Sequence, residues 1–247
     1  MKKTEELIEY VNSLELEQIT GESFGETPEI KDDDAAAYVN LGSLVAFTAG
    51  LEKQQKQDVL NSTLIAQLGA NKLFNRETQT EQWYGKYHEI LENVGWVINS
   101  FDFTKYSVSG SSFKVQQVVA EMLAAIASEN ALLITKSAME AVKSLSADSK
   151  GFSIWDTHTH DSGAGNFQIA PCSNSDGNVV MAISAFHFTA QTVDYSFLWF
   201  DYSSSTTTVY KGGEAVVLNE EIYALVRAAI IKKLGDHAVN YIANLEI

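Results

Sequence analysis

The sequence predicts an α+β fold, a mostly antiparallel sheet covered by helices in a single compact domain. Three observations predict it. Residues from about 152 to 211 carry several strand patterns joined by short turn signals, which favours an antiparallel meander. Stretches on both sides of that block place apolar residues at helical spacing. A further strand pattern, 96–106, stands alone between two helical stretches. No internal repeat, low-complexity tract or linker divides the 247 residues, so one domain spanning 1–247 is the expectation.

In chain order, residues 4–13 read as a short helix, with Leu7, Ile8 and Val11 on one side. Residues 14–34 are acidic and contain Gly21, Gly25 and Pro28, the pattern of a loop or mobile arm. The uncharged stretch 35–51, AAAYVNLGSLVAFTAGL, reads as a helix or helix-turn packed into the core. It is too short to span a bilayer, and insertion into a membrane surface is its alternative. Residues 51–74 read as a helix with Val59, Leu60, Leu64 and Leu68 on its apolar side. Thr78 and Glu81 form a capping box for the next helix, which carries Trp83, Tyr84, Tyr87, Ile90 and Leu91 and is closed by Gly95.

The strand pattern 96–106 puts Val97, Phe101 and Phe103 on one face and Ser100, Asp102 and Thr104 on the other. A Gly/Ser turn at 107–112 leads to two helices, 115–128 and 131–145, broken near Asn130. Phe152 to Thr159 is expected to be the first strand of the sheet-forming block. Phe167 to Cys172 and Val179 to Thr189 form a hairpin around Asp176-Gly177, because a type I′ turn needs φ > 0 at both central positions. The second of these strands is apolar on both faces and belongs mid-sheet. Residues 194–203 form another strand, and the threonine-rich run 206–211 suits an edge. Asn219 caps the last long helix, with Ile222, Leu225, Val226, Ala229 and Ile230 as its apolar face. Gly235 breaks it, and a short helix follows over 236–244.

The formal net charge of −15 excludes a general nucleic-acid binder, which needs a basic surface, and argues against electrostatic docking on anionic membranes. One cysteine cannot form an internal disulfide. The first residues hold two lysines with no apolar run behind them, so they are not a standard secretory signal. Release without such a signal, or entry into another cell, stays open.

Two candidate sites stand out. Asp156, His158 and His160 match the D-x-H-x-H strand of metal-dependent hydrolases, where an extended backbone turns all three side chains toward one ion. The placement argues against it. Only His187 and His237 follow, and the later strands are joined by turns rather than crossover helices. His187, between Phe186 and Phe188, reads as a core histidine. The second candidate is Cys172. It has no basic neighbour in sequence to lower its pKa, so a catalytic thiolate is not indicated. It reads either as a small buried hydrophobe or as the attachment point of a thioester-linked acyl chain, which gains about 0.8 kcal/mol per buried CH₂. No nucleophile-elbow, phosphate-loop or dinucleotide-binding motif is present.

The run DVLNSTLIAQLGANKLFNRETQTEQWYGKYHEILENVGWVINSFDF, with the later GNFQIAPC and FLWFDY, resembles the Evf-type virulence factors of insect-associated bacteria from about residue 50 onward. The resemblance implies a non-enzymatic, toxin-like protein of one α/β domain, without a cofactor. It further implies a palmitate held inside the protein on one cysteine and needed to anchor it to a host membrane. Cys172 is the one position that can receive that role. The alternatives from the residues themselves are a metal-dependent hydrolase and a soluble interaction domain without bound lipid.

Overall fold

Two strands of twelve residues, Ala164–Ser175 and Asn178–Thr189, form the hairpin at the middle of the sheet. The computed structural model describes residues 4–18, 27–99, 104–106, 113–161, 164–189, 201–202 and 208–247. In chain order the elements are α1 Thr4–Ser13, β1 Ala36–Asn40, β2 Ser43–Phe47, α2 Lys53–Leu73, α3 Thr80–Asn93, β3 Trp96–Val97, β4 Thr104–Tyr106 and β5 Phe113–Lys114. There follow α4 Val115–Ile126, α5 Glu129–Lys143, α6 Lys150–Thr159, β6 His160–Asp161, β7 Ala164–Ser175, β8 Asn178–Thr189, β9 Asp201–Tyr202 and β10 Thr208–Leu218. The last are α7 Glu220–Leu234, α8 His237–Tyr241 and β11 Ile242–Leu245.

The main sheet runs β11-β1-β2-β7-β8-β10-β3, with β4 also on β10 and β6 on β7. Every ladder in it is antiparallel except β2 with β7, where Ser43 faces Gln168 and Phe47 faces Cys172. β5 and β9 pair separately. The class is α+β, as the sequence predicts. Helices cover both faces. On one face α1, α2, α3 and α7 enclose the larger apolar cluster, which includes Leu64, Trp83, Tyr87, Cys172, Met181 and Tyr223. On the other, α4, α5 and α6 enclose Met139, Trp155, Phe167 and Phe186. Buried on both sides, the central strands read as continuous apolar runs.

The Asp176-Gly177 turn has the backbone its residues demand, with φ of 52° and 85°. Asn219 caps α7 by accepting from the Ile222 N–H at 3.0 Å, worth about 1 kcal/mol. α2 and α7 are joined by Arg227, whose Nε and Nη2 donate to Asp58 Oδ1 and Oδ2 at 2.9 and 2.6 Å. Among the described residues no helix is long and apolar enough to cross a membrane.

Several elements differ from the sequence reading. Residues 35–51 form the hairpin β1–β2, with Leu41 and Gly42 as its turn, and not a helix. All of Ala36–Phe47 is buried, so the stretch shows no two-residue alternation to mark it as strand. Leu41 takes a φ of 54°, a left-handed conformation that costs a residue with a side chain about 1 kcal/mol. Its full burial and its N–H donating to Tyr241 O at 2.8 Å hold it there.

Residues 152–159 lie in helix α6, not in a strand. Its buried residues Gly151, Ile154, Trp155 and Thr159 follow helical spacing and face the sheet. The described parts of 14–34 are tied down: Leu14, Leu16 and Ile30 are buried, and Asp32 Oδ1 accepts from the Lys53 N–H at 2.7 Å, capping α2. Residues 19–26 lie outside the described ones. The capping box at Thr78 is not used; Asn75 Oδ1 instead accepts from the Glu77 and Thr78 N–H groups. Within 96–106 both described pieces pair with β10, but Trp96 is the buried residue and Val97 is 51% exposed. β10 continues to Leu218 and is paired on both sides, so 208–211 is not an edge. α5 begins at its Ser128 cap rather than after Asn130, and residues 242–245 are strand. The predicted strand 194–203 lies outside the described residues apart from β9.

Candidate functional site

Cys172 occupies the interior of β7, between Phe47 of β2 and Met181 of β8. Alternation along the strand turns its side chain, with those of Asn166, Gln168 and Ala170, toward α2 and α3. The side chain is fully buried, and Sγ donates weakly to the Ala170 carbonyl at 3.5 Å. Burial pushes the thiol well above its ordinary range, so it stays protonated. Among the described residues no hydrogen bond pairs it with a base, and a protonated, enclosed thiol is a poor nucleophile. On the opposite side of the sheet a groove of about 640 Å³ runs past Ser173, Thr48, Ser128 and Leu133. Cys172 does not line it.

The D-x-H-x-H set is not assembled as the sequence suggests. Asp156 and His158 lie on α6, and two residues along a helix separate side chains by about 200° around the axis. Three side chains cannot converge there as they would on a strand. His160 opens β6, and its side chain lies outside the described ones. Among the described residues no three His, Cys, Asp or Glu side chains could hold a metal ion. The His158 ring lies edge-on to Tyr241, with centroids 5.3 Å apart, and its pKa is pushed down to about 4, first by burial and then by the nearby Arg76 charge.

Arg76 is the residue the sequence reading passes over. It sits in the turn between α2 and α3, only 6% exposed. Its Nε donates to Asn166 Oδ1 at 3.1 Å, and its guanidinium lies 4.4 Å from the Trp83 ring centroid. The Tyr84 hydroxyl donates to the same Asn166 oxygen at 2.9 Å, and Asn166 Nδ2 returns a bond to the Arg76 carbonyl. Gly42 makes room: a Cβ there would stand 1.9 Å from Arg76 Nη1. His187 faces Asn166 across the β7–β8 ladder. Burial and then Arg76 depress its pKa, so it is a core histidine, as its sequence context suggests. One signal in the sequence points to Arg76. Against fifteen lysines the chain has two arginines, and the other, Arg227, is committed to a buried carboxylate.

No family model and no curated protein matches the chain. Among solved structures it is similar to a delta-endotoxin, at 14% identity and a TM-score of 0.38, covering 83% of this chain and 90% of that one. It is also similar to the Evf virulence factor, at 14% identity and a TM-score of 0.36, covering 95% of this chain and 89% of that one. At that level of likeness the functional reading rests on the chain's own residues.

Proposed function

We propose that this is a non-enzymatic, toxin-like protein in which Cys172 carries a thioester-linked fatty acyl chain, palmitate being the chain the sequence resemblance implies, and that the chain mediates association with a host membrane. One observation carries the reading: the chain's single thiol is enclosed in the apolar layer between the sheet and its helices. That setting shelters a thioester from water and gives a catalytic thiolate neither a base nor access. The packing sets a condition. A core at protein density does not admit sixteen carbons without moving side chains, so α2, α3 and α7 must stand further from the sheet in the acylated protein. The thiol must also react before the core closes or while it is open.

The test is the intact mass of purified protein before and after neutral hydroxylamine. An added acyl mass, lost on treatment, supports the reading and places the chain on Cys172, because no other cysteine exists. A Cys172→Ser variant that still floats with liposomes sinks the membrane role. The same packing favours a second reading, a soluble interaction domain without lipid, and a bare polypeptide mass decides for it.

A further inference from the structure

The two arginines are held in contrasting ways. Arg227 grips Asp58 with two nitrogens at 2.9 and 2.6 Å. Arg76 is the more deeply buried of the two, yet makes no ion pair with any described carboxylate; among the described residues the ion pairs join Lys72 to Glu15, Lys86 to Glu89, Lys143 to Glu140 and Arg227 to Asp58. Its Nε has a good bond to Asn166 and its face lies against Trp83, so the planar fork is fixed in orientation. The Nη edge is different. Nη1 and Nη2 reach the carbonyl oxygens of His158 and Gly42 at 3.5 and 3.4 Å, the outer limit of hydrogen bonding. A buried guanidinium without a counter-charge is costly, and carbonyls at that distance offset little of the cost.

The surroundings add nitrogen rather than acid. His187, 6% exposed, has its Nδ1 without a partner and faces Asn166 in the ladder. Gln168, two residues along the same face of β7, turns its buried, uncharged amide to the Tyr87 hydroxyl.

From this geometry we infer that Arg76 is the anchor of a binding site for a carboxylate-bearing ligand, whose head group bonds the Nη edge. The planar fork matches a carboxylate in shape. One negative charge balances the one cation, whereas a phosphate dianion would leave an uncompensated charge. This inference stands apart from the acylation of Cys172 and does not need it.

The test uses the whole chain labelled with ¹⁵N. Its arginine side-chain spectrum holds two Nε–H signals, since the sequence has two arginines, and Arg76→Lys identifies one of them. Titration with acetate is expected to shift the Arg76 signal saturably and leave Arg227 in place. Chloride at equal ionic strength is expected to move neither. If acetate moves both signals alike, or neither, the site is refuted. If inorganic phosphate saturates the Arg76 signal and acetate does not, the carboxylate assignment is refuted. Should Arg76→Lys fail to fold, Arg227→Lys identifies the other signal, and the titration of the unmodified chain still decides.

Discussion

Acid puts two histidines under strain. Burial holds His88 and His158 at a pKa of about 4 in the folded chain, against an ordinary value of 6.5. Below the ordinary value the unfolded chain binds protons that the folded chain refuses. Stability contributed by each ring is therefore complete above about pH 6.5 and is lost as the pH falls toward 4. The difference, 6.5 minus 4, is worth about 3 kcal/mol per ring at 1.36 kcal/mol per unit. Two rings give about 7 kcal/mol, comparable with the whole stability of many domains. The perturbation is the double variant His88→Gln/His158→Gln. Urea unfolding followed by circular dichroism, at about pH 7 and about pH 4.5, gives the loss for each chain. Carboxylate titration is common to both chains and cancels in the comparison. The wild type should lose about 5 kcal/mol more than the double variant between the two conditions. Equal losses would refute the assignment of acid sensitivity to these rings.

Arg227→Met leaves Asp58 buried beside Gln54 with its cation gone, and should lower the unfolding free energy by about 3 kcal/mol, while adding Asp58→Leu restores part of it. Gly165→Ala drives a Cβ to within 2.0 Å of the Phe188 ring, so the ring must turn; a loss of about 2 kcal/mol in urea unfolding is expected, and an unchanged midpoint would contradict the packing. In protein without an acyl chain the thiol should react with a disulfide reagent at the rate at which the core opens, rising in urea in step with unfolding, because Cys172 is fully buried. Immediate reaction in native buffer would place Cys172 elsewhere.

The long helices were legible where their apolar residues keep a period that burial on one side imposes, as Trp83, Tyr84, Tyr87, Ile90 and Leu91 do in α3. The β7–β8 hairpin was legible from its Asp-Gly turn. The β1–β2 hairpin was not. Both its faces are buried, so period two vanishes, and its turn uses Leu41, which gives no turn signal. α6 was misread because Asp156, His158 and His160 alternate like a strand, although Gly151, Ile154, Trp155 and Thr159 carry a helical period. Cys172 could be picked out as the lone thiol, but its full burial between sheet and helices could not be read from one position. Arg76 was marked in the sequence by the scarcity of arginine alone, because its partners, Gly42, Trp83, His158 and Asn166, come from distant segments that only the fold brings together.

The parallel ladder between β2 and β7 has a kinetic meaning. Among the described strands it is the one seam joining β11-β1-β2 to the rest of the sheet, and it pairs Ser43 with Gln168. β11 closes on β1 from further away still, Leu245 against Ala37. The β7–β8 hairpin closes over a two-residue turn and meets little entropic resistance, whereas the seam must first bring together segments separated by about half of the chain. Non-local pairing of that kind slows folding. A chain emerging in order would hold the apolar β1–β2 hairpin without its neighbours until β7 and then β11 arrive. Through that interval its unpaired edges are the part of the protein most exposed to wrong partners.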